Sequence, residues 1–178
     1  SGLSWNQPTV IRAENPRRAT INKPQPGVNH VVMLGLPDTQ YLVIEGLVID
    51  ARGHATCVWV GPSSHIRLKN NVVKNCGGNG IYGSVADNGT GGVDIQLIDN
   101  EIFNVATEHV NPPGTHAIYF TGNNSVIRGN YIHPPCPFYG IHATSELGGL
   151  HSNVFENNRV VGCSNAGLYS QGSNSIIR

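Results

Sequence analysis

Charge is scarce in this 178-residue chain: 12% of its residues are Asp, Glu, Lys or Arg, against roughly a quarter in an average soluble domain. Eleven basic and eleven acidic residues cancel to a net charge of zero. There is thus no cationic excess of the kind that marks a nucleic-acid partner, and no acidic tail. No apolar stretch approaches the ~18 residues of a membrane-spanning helix, so no membrane partner is expected. Long helices are disfavoured as well. The chain holds 22 Gly and 20 Asn, and each Gly inside a helix costs about 1 kcal/mol relative to Ala. The 39% of hydrophobic residues argues against general disorder. What remains is one domain, residues 1–178, built of strands and turns.

Four cysteines in a polar, Asn-rich chain point to an oxidising, secreted or extracellular setting. Two glycosylation sequons, at Asn88 and Asn123, point the same way. The chain starts at Ser1 with neither an initiator Met nor a signal peptide, as a processed or shortened chain would.

Internal repetition carries the fold. Five segments superimpose: Ile44-Glu-Gly-Leu-Val48, Leu68-Lys-Asn-Asn-Val72, Leu97-Ile-Asp-Asn-Glu101, Ile127-Arg-Gly-Asn-Tyr131 and Phe155-Glu-Asn-Asn-Arg159. Their fourth positions are Leu47, Asn71, Asn100, Asn130 and Asn158, a repeat of 24 to 30 residues. Each segment runs on into an aliphatic residue: Ile49, Val73, Ile102, Ile132 and Val160. A second series interleaves with the first: Val58-Trp-Val60, Ile81-Tyr-Gly83, Ile118-Tyr-Phe120, Ile141-His-Ala143 and Leu168-Tyr-Ser170. Short strands recurring at this period, without a helical pattern, define a coiled β solenoid of about six to seven coils. In such a stack equivalent residues lie about 4.8 Å apart. An inward Asn at a bend can then donate to one neighbouring coil and accept from the other.

The phrases GTHAIYFTGNNSVIRGNYIH and YLVIEGLVID resemble the repeats of the right-handed, pectate-lyase-like parallel β-helix superfamily. The opening QPTVIRAENPRRATIN is similar to the first coil of such proteins, just after their amphipathic cap. The resemblance covers nearly the whole chain. It implies an all-β, single-stranded right-handed parallel β-helix. It also implies a range of activities, from polysaccharide lyases, glycoside hydrolases and uronate epimerases to non-catalytic surface proteins.

Ser175-Ile-Ile-Arg178 aligns with Ser125-Val-Ile-Arg128, one step before a further bend, and neither end carries a polar cap. The expectation is a fragment of a longer helix. Register also places the cysteines. Cys136 and Cys163 follow Asn130 and Asn158 by six and five residues, so they fall near one corner of neighbouring coils, within disulfide range. Cys57 and Cys76 form the other expected bridge. Free buried thiols remain an alternative, while zinc lacks the ligand spacing it needs.

Chemistry is sought on the outer faces, since the interior is packed. The middle residues of the second series, Trp59, Tyr82, Tyr119, His142 and Tyr169, form a file of rings, one per coil. Sugar residues repeat at a similar spacing, so the file reads as a poly- or oligosaccharide-binding strip, or else as an aromatic ladder that stabilises the strands. Three longer loops, 84–93, 104–115 and 144–152, flank the strand of Tyr119 and carry Asp87, Glu108, His109, Glu146 and His151. They would raise ridges beside a trough.

A lyase acting on a uronate needs a base for the C5 proton, a proton donor, and a cation or strong donors for the carboxylate. His142 as base and Tyr119 as acid fit that scheme. The file holds no Lys or Arg. Calcium held by Asp87 and Glu146 could fill that role, though no calcium motif is present, so no cofactor is assigned. Hydrolysis requires paired carboxylates, and Glu45, Asp50, Glu101 and Glu156 do not pair on neighbouring coils. Two readings follow: a lyase-like enzyme of an acidic polysaccharide, or a non-catalytic carbohydrate-binding, wall or adhesion solenoid.

Overall fold

The computed structural model describes residues 1–22, 29–35, 38–83, 92–106, 114–136, 138–144 and 150–178. Short strands wind into three parallel sheets that each coil visits in turn. The first sheet contains Thr9–Arg12, Leu42–Glu45, Ile66–Lys69, Ile95–Ile98, Val126–Arg128, Val154–Glu156 and Ile176–Ile177. The second contains Ala19–Asn22, Leu47–Asp50, Val72–Cys76, Glu101–Val105, Tyr131–His133 and Arg159–Val160. The third contains His30–Met33, Thr56–Val60, Ile81–Gly83, His116–Phe120, Tyr139–Ala143 and Ala166–Ser170. Among the described residues there are six full coils and the start of a seventh, with no helix.

The expected columns are present. Ile49, Val73, Ile102, Ile132 and Val160 stack through the second sheet. Ile81, Ile118, Ile141 and Leu168 stack through the third. Ile49, Ile102, Ile118 and Ile132 are wholly buried, each contributing roughly 1.5–3 kcal/mol of apolar burial.

Two residue types at each bend explain the Asn pairs. Asn70, Asp99 and Asn157, with Gly46 and Gly129, take left-handed backbone at φ 52–70°, the region that Gly, Asn and Asp tolerate best. The residue after each is the inward one. Asn71 donates its backbone N–H and its Nδ2 to Oδ1 of Asn100, at 3.0 and 3.1 Å, and Nδ2 also to the Ile44 carbonyl. Asn100 does the same to Asn130, and Asn130 to Asn158. Leu47, at the start of the row, donates its N–H to Asn71 Oδ1. Asn71, Asn100 and Asn130 thus each bond to both neighbouring coils, and Asn158 to the preceding one.

Both expected disulfides are formed. Cys57–Cys76 and Cys136–Cys163 each join neighbouring coils, closing loops of 19 and 27 residues. Closing loops of that size stabilises the fold by about 3 kcal/mol each in the chain-entropy picture.

Candidate functional site

Strand pairing brings the ring file together as the sequence places it. Trp59, Tyr82, Tyr119, His142 and Tyr169 occupy one row of the third sheet, with Met33 before them. Tyr119 sits at the centre. Its ring meets Tyr82 edge-on at 5.2 Å and His142 perpendicularly at 5.0 Å. His142 in turn meets Tyr169 at 5.2 Å. The Trp59 ring lies over Gly35 and Gly61, where an added Cβ would fall 2.0 and 2.7 Å from it, and stacks on His30 at 5.2 Å. It therefore leans toward the preceding coil.

A second row joins the first, and simple alternation does not reveal it. His116 pairs with Tyr139, three positions before Tyr119 and His142 respectively. Odd spacing would put them on the opposite face of a straight strand. The strand bends instead, because two consecutive positions turn inward. A Cβ on Gly140, just before inward Ile141, would lie 2.3 Å from Val160 Cγ1 in the core. With that extra inward position, His116 and Tyr139 return to the side of Tyr119. His116 stacks against Tyr119 at 5.5 Å and Tyr139 at 5.2 Å, and Tyr139 stacks on Tyr169 at 5.1 Å. The sequence signal is the small residue in Gly80-Ile-Tyr, Ala117-Ile-Tyr, Gly140-Ile-His and Gly167-Leu-Tyr.

Two imidazoles meet in this cluster. Nδ1 of His142 lies 2.9 Å from Nε2 of His116. His116 is 1% exposed, while His142 is half-buried. Burial first, and repulsion from His142 when it is protonated second, lower the His116 pKa to about 4. His116 is therefore neutral at pH 7. In the unfolded chain it would gain its proton near pH 6.5, so the unfolded state binds more protons between those two values. The expected result is a stability contribution complete above about pH 6.5 and lost as the pH falls to about 4. Thermal melts across that range should show a smaller acid loss in His116→Phe than in the parent protein. Equal losses would contradict the assignment.

Other expected site residues fall elsewhere. Asn88, Asp87, Glu108, His109 and Glu146 lie outside the described residues, as do most of the three loops, so the calcium and trough expectations stay open. Asn123 is half-buried, and its Oδ1 accepts the His151 backbone N–H at 2.7 Å. The outward carboxylates each face a cation: Glu45 with Lys69, Asp50 with Lys74, Glu101 with Arg17, and Glu156 with Arg128 and Arg178, while His133 Nε2 lies 3.1 Å from Glu101. A surface cleft of about 520 Å³ between the first and second sheets contains Arg12, Glu14, Glu45 and Asn70. It holds no ring of the file, and its Glu45 is already paired.

One further cluster went unread in the sequence. Trp5 Nε1–H donates to Asp94 at 2.6 Å, His65 Nδ1 lies 2.8 Å from the same oxygen, and Gln96 donates to the other one. Burial raises the Asp94 pKa, but hydrogen bonds from Gln96, His65 and Trp5 outweigh it and hold the carboxyl below its usual range. Arg67 covers the Trp5 ring at 4.4 Å. With its carboxylate saturated by three partners, this group fastens the start of the chain to the first sheet.

The family described as the right handed beta helix region matches residues 38–178, and the chain belongs to that family. Among solved structures it is similar to the Mannuronan C-5 epimerase AlgE4 A-module of Azotobacter vinelandii, with 18% identity and a TM-score of 0.57. That match covers 95% of this chain and 45% of the other. The AlgE6 A-module of the same organism matches with 15% identity and a TM-score of 0.43, over 96% and 44%. The chain thus spans less than half the length of either module. No curated protein matches its sequence.

Proposed function

We propose that this chain is part of a secreted, carbohydrate-active β-helix protein that acts on an acidic polysaccharide by lyase-type chemistry. The observation that carries the reading is Tyr119 beside His142, on adjacent coils of one outward row, among four further rings. Elimination from a uronate and inversion at its C5 begin alike, with loss of the proton next to the carboxylate. The Tyr119–His142 pair supplies the groups to move that proton and to meet the charge that develops. The AlgE4 A-module, a mannuronan C-5 epimerase, acts by chemistry of this class. The two disulfides agree with an oxidising compartment.

A non-catalytic carbohydrate-binding, wall or adhesion solenoid is the second reading, and one observation favours a stabilising ring ladder over a catalytic strip. Tyr139 and Tyr169 are stacked 9° from parallel, so the facing sides of those rings are closed to sugars. Tyr119→Ala separates ligand contact from ladder. For a site that binds oligouronate, affinity should fall by about 1–3 kcal/mol, as for an aromatic binding anchor, with the melting temperature nearly unchanged. Unchanged affinity with a lower melting temperature would make the file scaffold alone.

A further inference from the structure

We propose that His116 donates its Nε2–H to Nδ1 of His142, fixing His142 in the tautomer protonated on Nε2 and making it a neutral hydrogen-bond donor to the carboxylate of the sugar. This rests on the uronate reading above. A neutral imidazole has one N–H and one lone pair, so the 2.9 Å contact between the rings admits two arrangements. In one, His142 donates, and His116 must carry its own proton on Nδ1. That nitrogen is buried and, among the described residues, has no hydrogen-bond partner, so a donor N–H would be orphaned. In the other, His116 donates through Nε2, and the orphaned atom is only a lone pair. Buried donors without partners are the rarer and costlier defect. The second arrangement is therefore the stable one.

Its consequences reach the outer face. His116 is clamped between the rings of Tyr119 and Tyr139, so its Nε2–H has a fixed direction. The row through Met33, Trp59, Tyr82, Tyr119, His142 and Tyr169 contains no Lys or Arg. A uronate laid along it needs another donor for the charge that builds on its carboxylate when C5 loses a proton. A neutral imidazole N–H performs that task in other active sites. His142 then holds the carboxylate, the C5 proton passes to the oxygen of Tyr119 acting as the phenolate beside it, and His116 is the positioning residue of His142.

Long-range proton–nitrogen spectra of the ¹⁵N-labelled protein at pH 7 test the assignment. The expected result is a proton on His116 Nε2, with nitrogen–nitrogen coupling across the hydrogen bond to His142 Nδ1. A proton on His116 Nδ1 overturns the proposal. In turnover assays on polyuronate, His116→Phe should lower kcat by about 10²–10⁴-fold, the range for losing a positioned donor or the correct imidazole tautomer. His116→Gln, whose amide N–H reaches a similar point, should recover most of that loss. A Gln variant as slow as the Phe variant would sink the positioning role. If the tautomer is found as proposed but the parent protein turns over no uronate, the catalytic reading falls and the tautomer assignment stands.

Discussion

Replacing His142 by alanine should reduce C5 proton exchange and product formation on a polyuronate by about 10²–10⁴-fold, the range for losing an acid–base group or an oriented donor. Binding of the same oligosaccharide should change far less, because the lost interaction strengthens only as charge develops. Deuterium uptake at C5 from heavy water is the preferred readout, since elimination and inversion both pass through loss of that proton. The fold should persist: the buried residues of this strand are Gly140, Ile141 and Ala143, not His142. Undiminished exchange in a folded His142→Ala protein would end the catalytic reading and leave the binding one.

The second large effect concerns stability. Asn100→Ala removes the oxygen that accepts both the Asn71 backbone N–H and Asn71 Nδ2, and the Nδ2 group that donates to the Leu68 carbonyl. Both amides are about 1% exposed, so water does not replace the missing partner. The cost should be about 2–5 kcal/mol, from a buried donor left unpaired together with the lost bonds. At about 2–4 °C per kcal/mol for a chain of this size, the melting temperature drops visibly. Asn158→Ala, in the half-buried final rung, should cost less. Equal and small effects at both positions would mean that the ladder contributes little.

The fold was legible because a solenoid writes its geometry into a repeat. Asn71, Asn100, Asn130 and Asn158 occur at the coil period, and the same four residues form the bonded ladder. The disulfides were legible for the same reason, since register converts sequence distance into corner position. The site was only half legible. Tyr119 alternates with Ile118 and Phe120, and His142 with Ile141 and Ala143, so period two exposes them. His116 does not, because its place depends on a bend made by two successive inward residues. The Asp94 cluster was opaque too: its partners Trp5 and His65 lie 89 and 29 residues away in sequence. Only coil stacking brings His65 to Asp94, and only the returning first segment brings Trp5.

The two disulfides have a consequence for how the chain comes apart. In a stack where each coil touches only its neighbours, unravelling starts at an end and proceeds rung by rung. Cys57–Cys76 ties the second coil to the third, and Cys136–Cys163 ties the fifth to the sixth. The fourth coil, which carries His116 and Tyr119, lies between these two fences. Peeling from either end meets a covalent barrier before it reaches that coil. Its amides should be the last to exchange with solvent, and reduction should shorten their lead over the outer coils while leaving the native stack in place.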